Sequence, residues 1–348
     1  MSHFAQTDSI LELHEVNVKF AVESGQLHIL RDVSLSIPRG SFLCLVGESG
    51  CGKSVTAQAI VQLLPENGEI SSGKIIFNSD KNNVELNSLE KFGPEMRSIR
   101  GAKIGMIFQD TLSSLNPAHK VGRQVAEALL QHTNMTKQEA RTRVVEMFHR
   151  LGIPDPARRY DAYPHEFSGG MRQRVMIAIA TICEPNLLIA DEPTTALDVT
   201  IQAQILTLLK DLQKNEGKTF VLITHNMALV SEVADHVAVM YLGRVVEYGT
   251  VTQVLRNPKH PYTKALLRSV PSLDDDKAVE LLTVEGQTPS PADVMVGCEF
   301  AGRCPYVIDA CRANTVEMRT FSEGQQVRCL RLDDDGLLPD QIGRSSHV

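Results

Sequence analysis

Apolar and polar residues alternate from Ile10 to Phe20, the period-two pattern of a strand with one buried face. Ser41–Val46 is a short continuous apolar run that opens directly into glycines, and apolar spacing becomes helical from Lys53 to about Leu64. A second extended segment, Lys74–Phe77, is expected to pair antiparallel with Ile10–Phe20, and Ile104–Phe108 reads as the next buried strand. Between Thr111 and Phe167 the rhythm changes. Val121–His132 and Lys137–Leu151 carry helical periodicity, and Pro154, Pro156 and Pro164 punctuate the rest, so the segment reads as a helical insertion.

Strands and helices then alternate. The pattern predicts a helix over Met171–Thr181, a strand at Leu187–Ala190 and a helix over Ile201–Gln213. A strand at Thr219–Ile223 and a helix from Asn226 follow, then a hairpin over His236–Tyr248 turning at Leu242–Gly243. Such alternation implies an α/β fold, a parallel sheet with helices on both faces. After about Thr250 the alternation stops. Ser272–Gly297 reads as an extended linker, a cysteine-bearing segment follows, and the tail after Leu332, with its Asp run, is expected to be disordered.

Composition narrows the function. In 348 residues, 43% are hydrophobic and 22% charged, a balance that supports a sizeable core rather than disorder. The net charge of −7, with no basic stripe, argues against nucleic acid as a partner. The longest apolar run, Val175–Cys183, is interrupted by Thr181 and is far below the ~20 residues that cross a bilayer. The start, MSHFAQTDSI, lacks both a basic region and an apolar core, so a secretory signal is not expected and the chain reads as cytoplasmic.

Two motifs carry chemistry. Gly47-Glu48-Ser49-Gly50-Cys51-Gly52-Lys53-Ser54, followed by Val55, matches the phosphate loop G-x-x-x-x-G-K-[ST]. Its glycines let main-chain N–H groups surround an anion at a helix N-terminus. Lys53 adds a cation for the β- and γ-phosphates, and the Ser54 hydroxyl can ligate Mg²⁺. Leu187-Leu-Ile-Ala190-Asp191-Glu192 brings two carboxylates to a strand end: Asp191 for Mg²⁺ and Glu192 to polarise an attacking water. An acidic pair alone is weak, because such pairs often cap the next element; beside a phosphate loop it is strong.

Between these halves stands Phe167-Ser168-Gly169-Gly170-Met171-Arg172-Gln173-Arg174, which resembles the LSGGQ signature of ABC-transporter nucleotide-binding domains, departing from it at Phe167 and Met171. Alone, Ser-Gly-Gly would be an ordinary helix cap. Other positions resemble the family in order: Gln109 its Q-loop glutamine, which senses Mg²⁺ and the membrane subunits, and Ala196-Leu197-Asp198 its D-loop. His225 resembles the switch histidine and Phe20 the aromatic that stacks on adenine. The resemblance implies a P-loop NTPase with a RecA-like parallel core, an antiparallel β subdomain and a helical subdomain at about 111–170. It also implies a head-to-tail pair in which each ATP lies between one phosphate loop and the other subunit's Ser-Gly-Gly, with two transmembrane permease subunits completing the machine.

Asn257-Pro258-Lys-His260-Pro261-Tyr262-Thr-Lys-Ala-Leu-Leu resembles a stretch of oligopeptide and dipeptide permease ATPase subunits, with Pro261 at the first turn of a helix. The resemblance divides the chain into an ATPase domain (1–255), a permease-type extension (256–332) and a tail (333–348). It implies peptide import from an extracytoplasmic solute-binding protein, at the cytoplasmic face of the membrane, with a second, different ATPase chain as partner. Nickel or glutathione import and a soluble non-transport ABC ATPase are the alternatives. Of seven cysteines, Cys44, Cys51 and Cys183 sit in apolar surroundings as small core residues. Cys298, Cys304, Cys311 and Cys329 crowd the extension without a C-x₂₋₄-C pair; free thiols, zinc and iron–sulfur fit the spacing equally. Permease subunits of this type carry a 4Fe–4S cluster there, so the resemblance favours iron–sulfur.

Overall fold

β3, Phe42–Val46, has every side chain buried and serves two cores at once. Phe42, Cys44 and Val46 face one core, shared with Phe148 and Val175 of the helical region. Leu43 and Leu45 face the other, shared with Leu11, Leu13 and Leu35. A strand covered on both faces reads as a continuous apolar run, as this one does. The computed structural model describes residues 8–79, 83–109, 114–194, 198–269, 286–293, 296–321 and 324–339.

Five strands run parallel in the order β9 (His236–Tyr241), β3, β8 (Thr219–Thr224), β7 (Leu187–Asp191), β6 (Ile104–Ile107). Beyond β9 the sheet continues antiparallel through β10 (Arg244–Thr250), β12 (Gln326–Val327) and β11 (Arg319–Thr320). A second, antiparallel sheet is ordered β2 (Gly25–Pro38), β1 (Ser9–Val22), β4 (Gly68–Asn78), β5 (Asn83–Glu85). The expected pairing of Ile10–Phe20 with Lys74–Phe77 is present, Leu11 opposite Phe77 and Leu13 opposite Ile75.

The helical region keeps its predicted helices, Val121–His132 and Lys137–Arg150. Val121, Val125 and Leu129 bury one face of the first. The second starts on a reciprocal cap between Thr136 and Glu139, a sequence signature of a helix start. The hairpin turns as expected, with Leu242 and Gly243 both at positive φ.

The structure differs from the sequence reading at several points. β2 was not expected, because Asp32, at φ 47°, shifts the register and breaks the apolar alternation between Leu30 and Val33. The helix from Lys53 ends at Ile60 rather than Leu64, since Gln62 turns left-handed. The C-terminal extension packs on the main sheet: Arg328 N–H donates to the Val246 carbonyl, and β12 pairs with β10. Part of the expected linker lies outside the described residues; 286–293 touches the antiparallel sheet, where Arg31 Nη2 donates to the Pro291 carbonyl at 3.0 Å. Within the tail expected to be disordered from 333, Leu338 is fully buried beside Phe321 and Val327. Residues 340–348 lie outside the described set.

Candidate functional site

Because β3, β8, β7 and β6 are parallel, their carboxyl ends share one sheet edge, where ligand crevices of open α/β sheets form. The phosphate loop leaves β3 there. Gly47 has φ 154°, and a Cβ on it would stand 2.2 Å from the Met240 carbonyl oxygen, so only glycine fits. The helix Lys53–Ile60 follows at once, and Ser49 and Gly50 are exposed at the loop tip. Lys53 is not a mobile cation here. Its Nζ donates to the carbonyls of Gly47 (2.9 Å) and Glu48 (3.0 Å), and the residue is 6% exposed.

Ser54 Oγ donates to Asp191 Oδ1 at 3.0 Å, joining the loop to the end of β7. Burial pushes the Asp191 carboxyl above its usual range; the Ser54 hydrogen bond and the Lys53 charge pull it back only in part, and Glu192 beside it adds to the rise. A buried carboxylate so short of countercharge, next to a hydroxyl, is a hard-oxygen donor set that suits Mg²⁺. Glu192 adopts φ 45°, unusual for a non-glycine residue, and its N–H donates to the Ile223 carbonyl. That backbone turns its carboxylate between two neighbours. Gln109 Nε2 donates to Oε2 at 3.0 Å, and His225 Nδ1 lies 3.1 Å from Oε1. Gln109 follows β6 and His225 follows β8, so three strand ends meet at one carboxylate.

A model of the ABC transporter family matches residues 30–195, and one of the oligopeptide/dipeptide transporter C-terminal region matches 246–311. The chain is 47% identical to the dipeptide transport ATP-binding protein DppD of Bacillus subtilis over 92% of its own length and 94% of that protein's. The chain belongs to the ABC transporter ATP-binding family. DppD of Escherichia coli is 44% identical over 94% of this chain and 98% of its own. Among solved structures, the dimeric ATP-binding cassette MJ0796 in a post-hydrolysis state, bound to ADP and Pi, superposes with TM-score 0.61 at 28% identity, covering 69% of this chain and 98% of its own. The fold is that of a P-loop NTPase, and the chain is an ATPase.

In this ABC ATPase the Ser-Gly-Gly turn starts the helix Gly169–Thr181, with Ser168 as its cap accepting from Met171 N–H. Ser168 and Gly169 are exposed, while Gly170 packs against Ile201. Asp198 caps the helix Val199–Glu216, accepting from Ile201 N–H; Ala196 and Leu197 lie outside the described residues. Phe20 is half-buried, its ring lying over Gly68, opposite it in β4, where a Cβ would intrude to 2.9 Å. Val55 packs at the edge of the core under the antiparallel sheet. Among the described residues no helix is long and apolar enough to cross a membrane.

The cysteine cluster departs from expectation. Its thiols lie within electrostatic range of each other: Cys298 feels Cys329 and Cys304, and Cys329 feels Cys304 and Cys311. Yet among the described residues no three Cys, His, Asp or Glu side chains are spaced to hold a metal ion, so as arranged the four do not fit a metal or an iron–sulfur cluster. Burial pushes the Cys298 and Cys329 thiols up to about 12 and about 11, which leaves them protonated.

Sequence reading missed the residues that grip the loop from the C-terminal region. Glu48 N–H donates to the Tyr262 hydroxyl oxygen at 2.9 Å, and the Glu48 carboxylate accepts from Thr288 Oγ1 and from both terminal nitrogens of Arg303. Burial alone would raise that carboxyl; Arg303 and Thr288 hold it below the usual range. No local pattern could reveal partners 214 to 255 positions away.

Proposed function

We propose that this ATPase powers the import of di- or oligopeptides through two separate transmembrane permease subunits, working as a peripheral subunit on the cytoplasmic face of the membrane and served by an extracytoplasmic solute-binding protein. The observation that carries the hydrolytic part is the Glu192 carboxylate held between Gln109 and His225 at the phosphate-loop edge. Peptide cargo is supported by the dipeptide transport relatives and by the C-terminal region match.

In this reading the nucleotide's phosphates replace the Gly47 and Glu48 carbonyls as partners of Lys53, and the loop amides beyond Glu48 surround them. Ser54 and Asp191 hold Mg²⁺, with Gln109 beside them; the ion, when bound, offsets negative charge on the β- and γ-phosphates. Glu192 accepts the proton of the attacking water, and His225 orients that carboxylate and faces the γ-phosphate. Phe20 stacks on the adenine. A second ATPase chain, different from this one, closes the site with its own Ser-Gly-Gly turn, while the Ser168-Gly169-Gly170 turn and Asp198 of this chain complete the partner's site. Closure on binding and opening after hydrolysis drive the permease subunits between their two accesses.

A 4Fe–4S cluster on Cys298, Cys304, Cys311 and Cys329 is carried only by the family resemblance, since no three of these side chains are spaced to hold a metal ion. Iron and sulfide in anaerobically purified protein support it, and zinc-loaded or metal-free protein contradicts it. The transport reading is tested in proteoliposomes holding the whole complex. Peptide-loaded binding protein should stimulate ATP hydrolysis and drive peptide uptake, whereas ATPase activity indifferent to every peptide contradicts the cargo.

A further inference from the structure

We propose that Arg303, with Tyr262, is a positioning residue for nucleotide binding: the C-terminal region holds the phosphate loop in shape by gripping Glu48 at both main chain and side chain. The inference rests on the reading of Gly47–Ser54 as the ATP site. Arg303 is forked onto the Glu48 carboxylate, Nη1 to Oε2 at 2.8 Å and Nη2 to Oε1 at 3.1 Å, with its own side chain 6% exposed. Planar two-point pairing of this kind fixes orientation as well as distance. Thr288 Oγ1 adds a third hydrogen bond to that carboxylate at 2.6 Å.

The guanidinium is itself fixed. It lies over the rings of Tyr241 and Phe300, each 5.9 Å to centroid, and Nη1 reaches the Tyr241 hydroxyl at 3.3 Å. Tyr262 is fully buried in the same aromatic cluster, 4.6 Å from Tyr241 and 5.5 Å from Phe300 between ring centroids. Its hydroxyl takes the Glu48 N–H, so that amide is already committed and does not turn toward the phosphates. The consequence is local and directional. Glu48 follows Gly47, and the carbonyls of these two residues hold Lys53 Nζ. Clamping Glu48 therefore sets where the Lys53 ammonium waits and how the following amides point. A grip on residue 48 acts on binding of the triphosphate; it touches neither Glu192 nor the water that Glu192 would activate.

The test uses the full-length chain, with MgATP affinity by calorimetry and KM and kcat for MgATP hydrolysis, in the wild type, Arg303→Ala, Arg303→Lys, Tyr262→Phe, Glu48→Gln and the double variant Arg303→Ala/Glu48→Gln. Loosening a positioned binding loop by one partly buried charge pair should weaken MgATP binding and raise KM by about tenfold in Arg303→Ala, with kcat within about twofold. Arg303→Lys should recover part of the loss, since it restores charge without the fork. Because the two side chains act as one unit, the double variant should be no worse than the poorer single one. Should Arg303→Ala fail to fold, Tyr262→Phe, which keeps the aromatic packing and loses only the hydroxyl, should still raise KM by about threefold. Wild-type KM in the folded Arg303 and Tyr262 variants overturns the inference, as does equal and additive loss in the Glu48→Gln background. A wild-type chain that binds no MgATP overturns the ATP-site reading instead.

Discussion

The carboxamide of Gln109 donates to Glu192 Oε2 at 3.0 Å, joining the ends of β6 and β7 across 83 positions of sequence. Glu192 thus has its orientation set from outside its own strand, and His225 sets it from the opposite side. A carboxylate held by two neighbours has little freedom to turn, which suits the general base proposed for Glu192. Replacing Gln109 by Ala should lower kcat by about 10- to 100-fold, with MgATP affinity changed far less. Steady-state kinetics and equilibrium nucleotide binding, compared side by side, check this.

Asp191 gives a prediction about the metal. Its carboxyl is buried and raised, and its hydrogen bond comes from Ser54. Asp191→Asn removes the charge that would face Mg²⁺ and keeps the hydrogen-bonding shape. The concentration of Mg²⁺ giving half-maximal ATPase activity should rise by roughly tenfold or more, as expected for a lost charged ligand. An unchanged Mg²⁺ dependence would remove Asp191 from the site.

Much of this edge was legible in the sequence, and the reasons differ by residue. The phosphate loop and Asp191-Glu192 are local patterns on strands whose apolar runs are themselves visible, so both type and place could be read. Gln109 and His225 carry no local signal; their place in the ordered series found them, and parallel strands then brought them to Glu192. The Glu48 clamp was not legible, because Arg303, Thr288 and Tyr262 come from a region whose docking depends on tertiary packing. β2 was lost to a single left-handed residue, Asp32. Within the tail, the acidic composition hides one buried anchor, Leu338.

Glu247 is the point at which the C-terminal region is fastened. It is fully buried, and its carboxylate accepts from Lys259 N–H (2.8 Å), His260 N–H (2.9 Å) and Gln325 Nε2 (2.7 Å). Glu247→Ala leaves these donors without that acceptor in the interior, and unfolding stability should fall by about 3 kcal/mol or more. Chemical denaturation measures it, and a loss below about 1 kcal/mol contradicts the role.

His260 makes stability pH-dependent. It is completely buried, its Nδ1 accepts from Tyr262 N–H, and burial lowers its pKa from 6.5 to about 3, with the Arg328 backbone opposing the shift and the Arg328 charge adding to it. The unfolded chain therefore takes up a proton below pH 6.5 that the folded chain refuses. Stability is fully present above about pH 6.5 and falls as pH drops toward about 3, by up to about 1.4 kcal/mol per pH unit from this one group. His260→Asn keeps a good helix cap without the titration, and should flatten that slope between pH 6.5 and pH 4. A slope identical to the wild type's contradicts the assignment.

On the proposed mechanism Glu192 activates the water that attacks ATP bound at the Lys53 loop. Measuring MgATP binding and hydrolysis together in Glu192→Gln tests it most directly. The variant should bind MgATP within a few-fold of the wild type and hydrolyse it about a thousandfold more slowly. Turnover close to that of the wild type, with nucleotide bound at the loop, would contradict the account.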